Sequence, residues 1–543
     1  MRALSSSVAG LSLGVVALGA SALGVAALPS PASACGGFFC SSQPIEQSGE
    51  NIVFAIEDDG SIEAHVQISY QGSAEQFAWI LPTPSAPSIS VGTDVLFQQL
   101  DAATRPQFQT TYEQTGVCQA DPACVWDERS DSVLSGTSAR PPSFSDAGAV
   151  DASAAVGVVF HGSVGPYDAA VLSATDVGAL YTWLTDNGYL IPESARPEIE
   201  AYVATGSYFV ALRLQKDRAT GEIQPIVLHY TNGEPCIPIR LTKIATVDDM
   251  PVRAYFLAET AMRSTNYTML TPDLTDDEGL FLGTRQYESI VTNAVDDAGG
   301  RAFVTDYLGP TPTLSLEMAS LEDLRGTTDV KAFLAALLAR GFAGDSQLLS
   351  LLGRAIPPPD GTDAPSFFNC LVNVSCSAYD AYLAGFDFRP SEFVDALDEV
   401  IILPRQHAQR IVERHAKLTR LFTTMSAAEM TEDPVFFPSP AARDVSNIRV
   451  ARNVTECSAA YLVSGAPRKL VLPSGREVRL SVGTVYAGTD ADYCRARGMV
   501  PRDSNFSGLC SASAGANGSA GAALALSAAA LVIAALRRRR RRD

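Results

Sequence analysis

Five histidines are the chain's scarce acid–base and metal-ligating groups, and two of them, His407 and His415, fall on one expected helix. Eight positions apart, they would sit about 80° out of alignment at roughly 100° per residue and about 12 Å apart along the axis, too far to share one metal ion. No His-Glu-x-x-His motif occurs. Arg405, Arg410, Arg414 and Lys417 around them read as a solvated basic face rather than an anion site. Gly344-Asp345-Ser346 has the outline of a serine-esterase start, but the following Leu and a late Asp-x-x-His partner are missing, so no nucleophile is assigned. The acidic run at 273–278 does not match a calcium-loop spacing and reads as a loop or helix start. Trp79 and Trp183 are expected in the core rather than along a ligand groove. No catalytic residue, cofactor or metal is therefore assigned.

Cysteines carry more information. Cys35 with Cys40, Cys118 with Cys124, and Cys370 with Cys376 are close in sequence; Cys457 and Cys494 share a C-terminal module, and Cys236 and Cys510 are left over. Outside the cytoplasm such residues oxidise, so four disulfides are expected, with the connectivity open. Spacings of four or five intervening residues with no neighbouring His argue against zinc.

Both ends of the chain suggest export. Arg2 precedes an apolar stretch at 8–28, and Ala32-Ser33-Ala34 follows Pro29, so cleavage is expected between Ala34 and Cys35. The alternatives are an uncleaved membrane helix or a lipoprotein acylated on Cys35, although Ala32 stands where a lipobox prefers Leu and Cys40 offers a competing disulfide. Residues 520–536 carry no charge and precede six arginines. As a helix this segment spans about 25 Å, slightly short of a ~30 Å hydrocarbon core. The arginines keep that end cytoplasmic, giving an envelope or cell-surface protein with a single membrane pass at least before processing. The membrane is its expected partner through this tail, alongside an unknown envelope component.

The net charge is −20; removing Arg2, the six terminal arginines and Asp543 takes 40 basic and 60 acidic residues to 33 and 59, a balance of −26. That excludes nucleic acid as a natural partner; the acidity reads as solubility.

The expected fold is α+β: antiparallel sheets with flanking helices, a helical C-terminal half and a small disulfide-bonded β module. Strands are expected at 51–57 and 61–70 around Asp58-Asp59-Gly60, and at 76–81. Helices are expected at 93–103 with Thr93 as N-cap, at 174–187 with Ser173 as N-cap and Gly188 beyond its end, and at 196–205. Four strands follow at 207–214, 223–231, 236–245 and 251–258. Beyond 286 the pattern turns helical, at 329–340, 348–354, 390–400 and 405–424. Short β runs return between 445 and 500.

The motifs Cys35-Gly36-Gly37-Phe38-Phe39-Cys40, Phe77-Ala78-Trp79-Ile80-Leu81-Pro82, Gly165-Pro166-Tyr167-Asp168, Asn187-Gly188-Tyr189, Pro238-Ile239-Arg240-Leu241 and Asp249-Met250-Pro251 resemble the bacterial domain-of-unknown-function family 2330. The likeness is dense over 34–270 and reaches more thinly to about 437. It implies no established activity. Cys510, a Ser/Gly/Ala spacer, the apolar segment and the arginines resemble the MYXO-CTERM sorting signal, which implies processing at Cys510 by a sorting protease and leaves Cys236 the simplest unpaired cysteine. The expected organisation is a signal peptide at 1–34, a β-rich part at 35–128, a low-complexity linker at 129–156, an α+β part at 157–285, a helical region at 286–435, a β module at 436–509 and a sorting tail at 510–543.

Overall fold

The computed structural model describes residues 37–40, 46–71, 77–126, 156–189, 191–215, 222–270, 276–316, 318–342, 345–372, 376–497 and 499–501. Ala34, Cys35, Cys510, the 520–536 segment and all but the last residue of the expected linker lie outside the described residues.

Strict alternation builds the centre of the molecule. In strand Ile62–Gln71, Ile62, Ala64 and Val66 face one way and Glu63, His65 and Gln67 the other, the period-2 consequence of an extended chain. Its hairpin partner Glu46–Ile56 does the same with Ile52 and Phe54 against Val53 and Ala55. Gly60, at φ 81°, supplies the left-handed residue that the Asp58-Asp59-Gly60 turn needs.

These two strands lie inside an eight-stranded mixed sheet ordered Thr268–Leu270, Ala302–Pro310, Lys417–Met425, Met250–Ala258, Glu46–Ile56, Ile62–Gln71, Ile226–Tyr230, Ser88–Val91. A five-stranded sheet, ordered Gly37–Cys40, Phe77–Thr83, Tyr208–Leu214, Tyr167–Ala174, Val156–Val164, packs against it through Trp79, Leu81, Tyr167, Val171, Val210 and Leu212. Helices Val177–Asp186 and Arg196–Ala204 cover the far face of the smaller sheet. Helices Asp94–Thr104 and Leu403–Arg414 cover the far face of the larger one. A separate helical core, around Phe333, Phe342, Phe367 and Phe393, is built from Val330–Ala339, Ser346–Ala355, Ala364–Leu371 and Pro390–Leu397. The expected α+β class, with antiparallel sheets and flanking helices, holds.

Several expected elements change. The helix expected at 405–424 ends at Arg414, and Lys417–Met425 is a strand near the middle of the large sheet, buried from Leu418 onward. The strand expected at 236–245 is instead the short helix Ile239–Thr242, set off by Pro238. The helix expected at 174–187 begins at Val177 with Asp176, not Ser173, capping Ala179 N at 2.7 Å, because Tyr167–Ala174 is a buried strand. A further strand, Ala302–Pro310, interrupts the region expected to be helical.

Three disulfides form among the described residues. Cys118 bonds Cys457 and Cys124 bonds Cys494, whereas Cys370 and Cys376 pair as their spacing suggested. The cause is a ladder: Gln107–Thr115 runs parallel to Ile448–Glu456, completing the C-terminal β module with a strand from the chain's first quarter. Thr115 ends opposite Glu456, so both chains leave the same end of the ladder and bring Cys118 and Cys457 to a Cα separation of 4.7 Å, inside the range a disulfide spans.

Candidate functional site

Glu63 and His65 stand on the outer face of the large sheet, two residues apart and therefore side by side. The Leu403–Arg414 helix crosses this face and adds His407. Glu63 Oε1 lies 2.7 Å from His65 Nε2 and 2.7 Å from His407 Nε2, and the two imidazoles are nearly parallel with centroids 6.1 Å apart. Glu63 and His65 are buried, while the His407 side chain is 38% exposed. The cluster is thus closed from the sheet side and open beside the helix.

That helix is held at several points. Pro404 follows the π-helical turn Asp398–Ile402; lacking an N–H, it cannot donate to the Val400 carbonyl four residues back. Gln224 Nε2 donates to that carbonyl instead, at 3.0 Å. Arg405 forms a buried ion pair with Asp345 at 2.5 Å. Gln409 accepts from Leu316 N at 3.0 Å and donates to the Leu314 carbonyl at 3.3 Å. Ala408, Ile411 and Val412 pack onto Val53, Ala55, Leu96 and Leu100, and the ring nitrogens of His415 face the Ile411 and Ile56 carbonyls.

Burial pushes the Glu63 carboxyl up, but the hydrogen bonds from His407 and His65 outweigh it and hold the group well below the usual carboxylate range. An ionised carboxylate flanked by two imidazoles can share protons, or it can bind a divalent transition metal. Among the described residues it is the one cluster of three or more His, Cys, Asp or Glu side chains whose donor atoms converge, all within 4.8 Å of one another.

The other positions weighed from sequence are structural. His415 is buried, and Arg405 is paired internally rather than solvated; Arg410 and Arg414 are exposed, the latter bound to Glu57. Asp345 caps the Ser346–Ala355 helix through Gln347 N at 2.9 Å. Asp277 caps Glu278–Leu282, and Asp276 accepts from Ser474 and Arg476, the helix-start role expected of that acidic run. Trp79 is core and Trp183 stacks on Tyr189. A cavity of about 520 Å³ beside the helical core is lined by Glu222, Arg354, Asp387, Arg389, Glu392 and Glu399 among others; Glu222 pairs with Arg354, while Asp387 and Glu392 share Arg389, so the lining carries excess negative charge.

Comparison with known proteins adds one relationship. Residues 29–354 match a family described as an uncharacterized protein conserved in bacteria, DUF2330, and this span is well over half of the chain. The chain belongs to the DUF2330 family. No curated protein and no solved structure matches it. The DUF2330 span contains Glu63 and His65 but not His407, and it contains Cys118 and Cys124 but not their partners. Residues past 354 also supply the Lys417–Met425 strand that lies between Ala302–Pro310 and Met250–Ala258. Among the described residues, no helix is long and apolar enough to cross a membrane.

Proposed function

We propose that this DUF2330 protein works outside the cytoplasm as a noncatalytic binding or structural protein held at the cell envelope. The observation that carries the reading is the pair of disulfides Cys118–Cys457 and Cys124–Cys494, which tie segments 339 and 370 residues apart. Such bonds form and persist in oxidising compartments and are rare in the cytosol. The sequence around Ala34 and Cys35, the apolar segment at 520–536 with its arginines, and Cys510 fit the same reading: signal removal at one end, membrane retention and sorting at the other.

The competing reading, an exported hydrolase assembled from sequence-distant carboxylates, would need two carboxyl groups facing each other across a cleft. Glu50 and Asp433 are distant in sequence and close enough to repel, but both are interior groups. Glu222, Asp387, Glu392 and Glu399 do line the cavity of about 520 Å³, but the first three are held in ion pairs with Arg354 and Arg389, which supports the noncatalytic reading.

Intact-mass spectrometry of protein isolated from its own cell envelope tests the proposal. A chain that begins at Cys35 and ends near Cys510 supports export with sorting. A chain retaining Met1, recovered from the cytosolic fraction with reduced thiols, overturns it.

A further inference from the structure

We infer that Glu63, His65 and His407 form a binding site for a divalent transition metal ion. The donor set is two imidazole nitrogens and one carboxylate oxygen, a combination suited to zinc and its first-row neighbours rather than to calcium or magnesium, which favour oxygen. Both Nε2 atoms approach the same Oε1 at 2.7 Å, so two nitrogens from elements 344 residues apart already converge on one carboxylate oxygen, with all three donors within 4.8 Å of one another. With metal–ligand bonds of about 2.0–2.2 Å, tetrahedral donors lie roughly 3.3 Å apart. Each nitrogen would withdraw about half an ångström from Glu63, and the two nitrogens, already within 4.8 Å of each other, would settle at the same spacing, adjustments within the reach of side-chain torsions.

Charge favours occupancy. Glu63 is a buried anion beside two imidazoles, and an ion of charge +2 offsets the desolvation of that carboxylate better than neutral hydrogen bonds do. The exposed side of His407 provides the entry path. Three protein ligands leave at least one coordination position for water, the arrangement of an exchangeable rather than a closed structural centre. His65 Nδ1 is buried without a hydrogen-bond partner among the described residues, and metal-bound histidines usually donate that second N–H to an acceptor whose loss weakens binding 10- to 100-fold. The site is accordingly one that a chelator strips.

The helix that brings His407 is positioned independently of the ion, by the Arg405–Asp345 pair, the Gln409 hydrogen bonds and the Gln224 contact to Val400. A His407→Ala variant therefore removes a ligand without removing the scaffold. His161, exposed on strand Val156–Val164, serves as the control position.

The test uses untagged, disulfide-bonded protein treated with EDTA, dialysed, and titrated with Zn²⁺ by calorimetry and with Co²⁺ by visible absorption. Saturation at one ion per chain is expected, with a thermal midpoint raised by Zn²⁺. His407→Ala should weaken binding at least tenfold and abolish the Zn²⁺-dependent rise while its metal-free midpoint stays within a few degrees of the parent; His161→Ala should bind like the parent. Absence of saturable binding in the parent chain, or equal affinity in parent and His407→Ala, overturns the inference.

Discussion

Glu63 Oε1 and His407 Nε2 meet at 2.7 Å although 344 residues separate them in the chain. This contact lies beside the apolar seam of Ala408, Ile411 and Val412 that seats the Leu403–Arg414 helix on the large sheet. In metal-free protein, Glu63→Ala leaves His65, 1% exposed, with neither ring nitrogen partnered among the described residues. The expected loss is about 2–3 kcal/mol. His407→Ala removes a partly exposed group and should cost about 1 kcal/mol or less. Urea unfolding midpoints of the two variants check this split; equal losses would contradict it.

Interior carboxyls set a second expectation. Burial pushes Glu50 up to about 7 against the opposing hydrogen bond from Gln47, and repulsion from Asp433 adds to the rise. Burial likewise raises Asp433 to about 6, opposed by hydrogen bonds from Tyr202 and the Arg240 N–H. Both folded-state values exceed the unfolded ones, so the folded protein holds the extra protons. Their contribution is greatest below about pH 4 and is lost as pH rises through 6 to 7. From Glu50 alone the loss by pH 8 is on the order of 3 kcal/mol. Thermal melts of the parent and Glu50→Gln between pH 5 and 8 should show a smaller fall in the variant; an unchanged pH profile would be inconsistent with this assignment.

Arg420 lies 97% buried between strands and binds Asp306 at 3.0 Å and Asp101 at 2.9 Å, while Tyr287 Oη donates to Asp306 at 2.6 Å. Arg420→Ala strands the buried Asp306 carboxylate and should cost about 3–5 kcal/mol. Tyr287→Phe removes one hydrogen bond to a charged acceptor and should cost about 1.5–3 kcal/mol. Chemical denaturation of both variants is the check, with Arg420→Ala the less stable.

The two long-range disulfides should act as a set. With Cys124–Cys494 intact, removing Cys118–Cys457 reopens a ring of roughly 45 residues, made of the short segments between the paired cysteines. On the chain-entropy account that is worth about 4 kcal/mol, whereas removing the second bond as well releases a closure of several hundred residues, worth about 6 kcal/mol more. Midpoints of the single variants Cys118→Ala/Cys457→Ala and Cys124→Ala/Cys494→Ala, and of the combined variant, should show the second removal to be the costlier step.

Much of the scaffold was legible, and the misreadings have causes. The hairpin around Gly60, the Thr93 cap and the 196–204 helix followed from alternation, cap chemistry and Pro197. The Lys417–Met425 strand was misread because Leu418, Leu421, Phe422 and Met425 recur at helical spacing; a strand buried on both faces carries no alternation to oppose that pattern, and only the β-branched Thr419, Thr423 and Thr424 pointed to sheet. The Glu63–His65–His407 cluster was missed for a related reason. Glu63-x-His65 looks like the solvent face of an amphipathic strand until a helix from the far end of the chain covers it. His407 shares its own helix with no second ligand on a common face, since His415 lies eight positions away. The signal available was the Glu-x-His pair itself, two potential ligands projecting from one strand face.

Oxidised cysteines join the first quarter of the chain to its C-terminal module. Peptide mapping by mass spectrometry, on envelope-isolated protein with thiols blocked before digestion, measures this directly. Linked peptides are expected for Cys118–Cys457, Cys124–Cys494 and Cys370–Cys376. Local Cys118–Cys124 and Cys457–Cys494 links, or blocked free thiols at these positions, would contradict it.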